Sequence, residues 1–281
     1  MIELSRVGLG TNNFGRRLDR ERSIAVVHAA LDAGVTHIDT ANIYGGGESE
    51  RFIGEALEGR RDDAFLATKF GMGEGGNGTP GYVHEAIDAS LASLRTDHVD
   101  LFYYHRPDGV TPIAETVGAM HALVGAGKVR QLGVSNVTPE QLREAVATAP
   151  IAVVQNKYSL LSRDAESNVL PVSVELGVGF VPYFPLASGL LTGKYRRGKP
   201  APPGSRLEGQ SIDDDSFDRI EALETFAAER GRTLHELAIS ALASQPGIVS
   251  VIAGATTPAQ VRENAAAGTW VLTAEDLASL P

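Results

Sequence analysis

The chain has 281 residues, 43% of them hydrophobic, a formal net charge of −10 and no cysteine. That length suits one α/β barrel of ~250 residues with a sizeable core. The acidic balance argues against a nucleic-acid partner, which wants a basic face, and the lack of cysteine excludes disulfides, thiolate nucleophiles and iron–sulfur clusters. No run approaches the ~18 consecutive apolar residues of a membrane helix. The opening MIELSRVGLG has no apolar segment of the secretory-leader type. The expectation is a cytoplasmic protein with neither a membrane nor a nucleic-acid partner.

Short apolar runs rich in β-branched and aromatic residues alternate with longer stretches of helical spacing. Strands are expected at 7–11 (VGLGT), 37–41 (HIDTA), 64–70 (AFLATKF), 99–105 (VDLFYYH), 129–136 (VRQLGVSN), 152–160 (AVVQNKYSL), 179–186 (GFVPYFPL) and 249–254 (VSVIAG). Helices are expected near 20–33, 48–59, 80–94, 112–126, 138–147, 164–176, 216–230, 233–244 and 257–267. Thr138-Pro139-Glu140-Gln141 and Thr257-Pro258-Ala259-Gln260 each read as an N-cap, a proline at the first helical position and a Gln three after the cap. Gly34, Gly127 and Gly177 stand where helices stop before strands. Eight repeats of strand then helix require a parallel sheet with right-handed crossovers. The expected fold is an α/β single (β/α)8 TIM barrel over residues 1–281, eight parallel strands inside an outer helix ring. The stretch 194–215, KYRRGKPAPPGSRLEGQSIDDD, is irregular and polar. It reads either as a mobile surface loop or as a flap, because it follows the seventh strand on the face where barrels carry their sites.

Polar residues at the C-terminal ends of barrel strands converge on one face. Asp39, Lys69 and His105 stand at the ends of strands two, three and four, and Tyr44 lies just after strand two. Singly, each has a bland explanation: a loop hydrogen bond, a surface lysine, a packed histidine. Together they form a candidate catalytic group. A free tyrosine has a pKa of about 10. A lysine ammonium ~4 Å away at an effective dielectric of ~20 contributes roughly 4 kcal/mol toward the phenolate. The expectation is therefore a Tyr44 pKa shifted down, with Asp39 holding Lys69 and partly opposing the shift. His105 would hydrogen-bond a substrate oxygen.

The strings GLGTNNFG, VTHIDTANIYGGGESERFIGEAL, FLATKFG, DLFYYHRPD, GKVRQLGVSN, QNKYSLL, YFPLASGLLTGKY and GATTPAQVRENAA resemble the aldo-keto reductases, in order, from about residue 7 to 267. The resemblance implies NAD(P)H-dependent interconversion of aldehydes or ketones with alcohols on a small-molecule carbonyl substrate. It gives Tyr44 the proton-donor role and makes Asp39, Lys69 and His105 the rest of a tetrad. It implies that Ser135, Asn136 and Gln155 hold the nicotinamide carboxamide and that Tyr183 stacks on its ring. Leu186, Ala187, Gly189, Leu191 and Lys194 would border the pyrophosphate. Gly254, Thr256, Thr257, Gln260, Glu263 and Asn264 would hold the adenosine end. Thr256 departs from the arginine or lysine that many relatives use to grip a 2′-phosphate, so NADP(H) is the expected cofactor with NAD(H) as the alternative; Arg262 is a further candidate contact. The short segment before GLGT implies a reduced plug at the bottom of the barrel.

Residues 71–76, GMGEGG, fit G-x-G-x-x-G but do not open a helix, so a dinucleotide fingerprint is not expected there. The pairs His37/Asp39 and His98/Asp100 lack a third ligand, and no metal is expected. Two other functions fit parts of the sequence. A Schiff-base aldolase could use Lys69 as its nucleophile. A non-catalytic NADP(H)-binding regulatory subunit could act on a partner, as potassium-channel beta subunits of the resembled family do. Arg106, beside His105, reads either as a surface arginine or as a residue that attracts an anionic substrate.

Overall fold

The computed structural model describes residues 2–73 and 77–281; the last half of the GMGEGG pattern lies outside them. In chain order the elements are β1 (Val7–Gly10), α1 (Arg20–Asp32), β2 (His37–Asp39), α2 (Glu48–Ala56), β3 (Phe65–Phe70), α3 (Pro80–Leu94), β4 (Val99–Tyr104), α4 (Ile113–Gly125), β5 (Val129–Ser135), α5 (Pro139–Thr148), β6 (Ile151–Lys157), α6 (Val169–Glu175), β7 (Gly179–Tyr183), α7 (Asp214–Ala228), α8 (Leu234–Ala243), β8 (Val251–Gly254), α9 (Pro258–Ala267) and α10 (Ala274–Ala278). Every named strand pair is parallel, in the order β7-β6-β5-β4-β3-β2-β1-β8. The ring closes where Phe180 of β7 meets the approach to β8: Phe180 N donates to Gly247 O at 2.8 Å, and Val249 N donates to Phe180 O at 3.0 Å. This is the expected (β/α)8 barrel.

Local chemistry agrees with the tertiary plan. Thr138 and Gln141 form a reciprocal capping box at α5, and Thr233 with Glu236 forms another at α8, each worth ~1 kcal/mol. Gly34, Gly127 and Gly177 have φ of 75°, 75° and 69°, as helix-stop positions need. The strands are buried on both faces, so they read as apolar runs rather than alternating ones.

The structure corrects several boundaries. The segment expected as one helix over 164–176 is a 3-10 turn (Asp164–Ser167) and then α6, broken at Asn168. The strand expected over 179–186 stops at Tyr183, because Phe184 takes φ 61° and turns the chain across the barrel mouth. At Thr257 the cap forms, but the Gln260 side chain does not return to it. Instead Gln260 Oε1 accepts from Thr256 N and Thr256 Oγ1, at 2.8 and 3.0 Å. The closing α10 had no sequence expectation.

Inside the barrel, Ala67, Leu101, Tyr103, Val153, Val181 and Ile252 form a compact cluster, with Ile2 and Leu4 packed against it. His37 stands beside this region, fully buried, with Nδ1 3.0 Å from Ser250 Oγ and Nε2 without a partner. Burial pulls its pKa down from 6.5 to about 4, with Asp39 pulling the other way and Lys69 reinforcing the drop. The unfolded chain therefore takes up this proton first as pH falls below 6.5. Stability is complete above that value and drains away between pH 6.5 and about 4, by ~1.4 kcal/mol per pH unit at most. Between pH 7 and pH 5 the loss attributable to His37 is about 2 kcal/mol. Urea midpoints of the wild-type chain and of His37→Gln at the two pH values measure it. An equal loss in both proteins removes His37 as the cause.

Candidate active site

Three consecutive strands deliver the charged groups to one mouth. Asp39 is the last residue of β2, Lys69 the penultimate residue of β3, and His105 follows β4. The Lys69 ammonium is fully buried. It donates to Asp39 Oδ1 and, at 2.9 Å, to Thr40 O. Gln155 Nε2 reaches the other Asp39 oxygen at 2.9 Å. Tyr44 opens the 3-10 turn Tyr44–Gly47. The Lys69 Nζ lies 5.4 Å from the Tyr44 ring centroid. The Tyr44 and His105 rings meet edge to face at 5.9 Å. The turn is held by backbone packing. Gly45 has φ 59°, and a Cβ on it would sit 2.3 Å from Phe14 O, so only glycine lets the turn seat against the β1–α1 loop.

The charge balance on Tyr44 differs from the sequence expectation. Burial pushes the phenol's pKa up; Lys69 pulls it down, and Asp39 adds to the rise. The net direction is upward, because desolvation of the phenolate outweighs the ammonium. Tyr44 thus holds its proton throughout the neutral range, while Lys69 stands ready to offset the charge left when the proton departs. His105 is neutral: burial first, then Lys69 and Arg106, bring its pKa from 6.5 to about 3. Its Nδ1 is buried without a partner, so Nε2 is the nitrogen available to the cavity.

Above the four residues lies a cavity of about 790 Å³, inside the range typical of cofactor sites. It is lined by Asp39, Tyr44 and His105, with Lys69 beneath them, and by Ser135, Asn136, Gln155, Tyr183, Leu186, Ala187, Gly189, Lys194, Gly254, Thr256, Gln260, Glu263 and Asn264. Two expected contacts are not among the lining residues. Leu191 is fully buried in the core, because its 3-10 turn rotates it away from the cavity, and Thr257 is spent capping α9. Arg262 is exposed and also absent from the lining. The backbone at the cavity is strained: Asn136, Phe184, Ala187 and Ser188 all have φ between 45° and 61°. Such positions cost ~1–3 kcal/mol each and gather at ligand sites.

The polar groups on these walls fit a dinucleotide. Asn136 Nδ2 donates to His105 O at 2.9 Å, and its Oδ1 accepts from Tyr183 OH at 2.6 Å, which fixes the Tyr183 ring at the mouth. Ser135 Oγ donates to Gln155 O at 2.6 Å. Arg16, Arg17, Lys194 and Arg206 also line the cavity, and none forms an ion pair with the described residues. Sequence reasoning missed Arg206, Arg16 and Arg17. Arg206 reaches Asn13 Oδ1 at 3.0 Å, and Arg17 reaches Gly204 O at 3.1 Å. The segment expected as a loop or flap therefore crosses the mouth as a strap tied to the β1–α1 loop. Its last residues, Asp214 and Asp215, already belong to α7. Among the described residues no group of three or more His, Asp or Glu side chains could hold a metal ion, and no helix is long and apolar enough to cross a membrane.

A closed α/β barrel whose mouth joins a buried Lys–Asp pair, a phenol, a neutral imidazole and a cation-lined cleft can hold an anionic ligand and pass a proton to a developing oxyanion. The comparisons agree. The Aldo/keto reductase family profile matches residues 6–281, and the chain belongs to that family. It is 38% identical over 274 residues to a probable voltage-gated potassium channel subunit beta of Oryza sativa subsp. japonica, covering 89% of this chain and 83% of that protein. It is 35% identical to the aldo-keto reductase YhdN of Bacillus subtilis, covering 98% of this chain and 88% of that one. The solved glycerol dehydrogenase AKR11B4 from Gluconobacter oxydans superposes with a TM-score of 0.88 at 32% identity, covering 99% of this chain and 90% of that chain. The chain is an NAD(P)H-dependent oxidoreductase acting on carbonyl groups.

Proposed function

We propose that this chain reduces a small aldehyde or ketone with NADPH, and that Tyr44 supplies the proton. The observation that carries the reading is the buried Lys69–Asp39 pair placed under Tyr44 and His105, at the floor of a cavity rimmed by unpaired cations. When bound, the cofactor supplies the hydride. The chain's own groups do the rest. His105, neutral, donates a hydrogen bond from Nε2 to the carbonyl oxygen and orients it. Tyr44 gives its proton to that oxygen as charge develops. Lys69 compensates the phenolate, and Asp39 with Gln155 keeps Lys69 aimed. Ser135, Asn136 and Tyr183 would face the nicotinamide, and Gly254, Thr256, Gln260, Glu263 and Asn264 the adenosine.

NADP(H) rather than NAD(H) is supported by charge. Thr256 spends both its N–H and its hydroxyl on Gln260, but Arg16, Arg17, Lys194 and Arg206 outnumber the one unpaired acid on the walls, Glu263. Arg206→Gln is expected to raise the NADPH dissociation constant by ~10–100-fold, the worth of a charged hydrogen bond of roughly 1.5–3 kcal/mol. Quenching of protein fluorescence by NADPH reads it, and an unchanged constant rejects the role of Arg206. The deciding experiment for the function follows NADPH and NADH absorbance against a panel of aldehydes, ketones and sugars.

The aldolase reading loses support, since the Lys69 ammonium is buried and committed to Asp39 and Thr40. The regulatory-subunit reading draws on the rice relative's name. Negligible turnover on every carbonyl, with tight NADPH binding, would favour it.

A further inference from the structure

The protein carries a net charge of −10, yet its cavity walls are basic. The cations fall into two groups. Arg16, Arg17 and Arg206 lie near enough to oppose one another's charge at the strap. Arg106 stands apart from them. It directly follows His105, and its charge acts on the His105 ring and on the Tyr183 phenol. Arg106 lines the cavity and is exposed, and its guanidinium makes neither a hydrogen bond nor an ion pair with the described residues.

The nearest acid in sequence does not neutralise it. Both Asp108 oxygens are taken, by its own loop and by the segment before α3: Oδ1 accepts from Val110 N and Thr111 N, and Oδ2 accepts from Gly78 N and Thr111 Oγ1, at 2.8–3.0 Å. The backbone carrying Arg106 is pinned on its other side, where His105 N donates to Phe70 O at 2.7 Å and His105 O accepts from Asn136. An unpaired cation on a fixed stem, next to the residue that would receive the carbonyl oxygen, is a binding group for an anion. In the reading proposed above the strap cations and Lys194 are given to the cofactor's phosphates, which leaves Arg106 for the substrate.

We infer that Arg106 selects carbonyl substrates that carry an anionic group, a carboxylate or a phosphate, a few bonds from the reacting carbon. This rests on the reductase reading above and names its substrate class. Ile43 and Phe184, exposed apolar side chains on the same walls, suit the short hydrocarbon part of such a molecule.

Initial rates with NADPH would be compared for two matched pairs: 4-oxobutanoate against butanal, and glyceraldehyde 3-phosphate against glyceraldehyde. In the wild-type enzyme kcat/KM for the charged member of at least one pair should exceed that of its neutral partner by ~10-fold or more, the step worth about 1.4 kcal/mol. The preference should shrink as ionic strength rises. In Arg106→Gln the charged-to-neutral ratio should fall toward one, and Arg106→Lys should restore part of it. Which pair responds separates carboxylate from phosphate. Equal wild-type rates within both pairs, or a ratio that survives Arg106→Gln, overturns the inference while leaving the reductase reading intact. Failure to reduce any of the four, with NADPH still bound, overturns both.

Discussion

Tyr44→Phe is expected to slow carbonyl reduction by about 10²–10⁴-fold, the usual size of a general-acid contribution, with NADPH affinity unchanged within about twofold. The substitution removes one oxygen and keeps the ring, so the edge contact with His105 survives. The Lys69–Asp39–Gln155 chain survives as well, since each link bypasses the phenol. What disappears is the phenol proton beside Lys69, at the cavity wall. The pH dependence follows from the directions found at the site. Burial holds the Tyr44 pKa above its usual value, and His105 is neutral down to about pH 3. Neither group changes charge between pH 6 and 9, so kcat/KM for reduction should be flat across that window. Stopped-flow traces of NADPH consumption test both statements. Wild-type rates in Tyr44→Phe would remove the assignment, and a profile that falls between pH 7 and 8 would mean that a different group donates.

The fold and the four-residue cluster were legible because both follow from short-range rules. Strand periodicity, capping pairs such as Thr138/Gln141 and left-handed stops such as Gly127 each announce themselves locally, and barrel topology then forces strand ends together. The direction of the Tyr44 shift was not legible. Coulomb's law between two residues can be written from a guess at their separation, but desolvation depends on everything packed around the phenol. Leu191 was misassigned for a related reason: a turn with φ of 59° at Ser188 and 92° at Gly189 has no sequence period that says which side chains face in. Arg206 was invisible because its partner Asn13 lies 193 residues away. The irregular composition of the strap gives no hint of where it lands. The signal that could have found it is charge: a basic residue inside a Pro/Gly-rich segment that leaves strand seven at the barrel mouth.

Lys69→Met is expected to cost both stability and activity, and the two losses separate by experiment. The ammonium is fully buried and the Asp39 side chain is 4% exposed. Removing the lysine leaves a carboxylate in the barrel with Gln155 as its remaining side-chain donor. An uncompensated buried charge costs ~3–5 kcal/mol, a large fraction of the 5–15 kcal/mol that holds a domain together. The double variant Lys69→Met/Asp39→Asn removes the stranded charge as well, so it should unfold at higher urea than Lys69→Met alone even though it departs further from the wild type. Activity should follow a different order. Without Lys69 nothing offsets the phenolate that Tyr44 must become: burial raises its pKa, and in the single variant Asp39 adds to the rise. Both variants should therefore reduce carbonyls at least ~10²-fold more slowly, and restoring stability should not restore the rate. Urea unfolding followed by fluorescence, with single-turnover reduction on the same preparations, gives both quantities. A Lys69→Met protein that unfolds at the wild-type midpoint shows that the pair is solvated rather than buried. A double variant that recovers the rate along with the stability shows that Lys69 only holds the barrel together and takes no part in moving the proton.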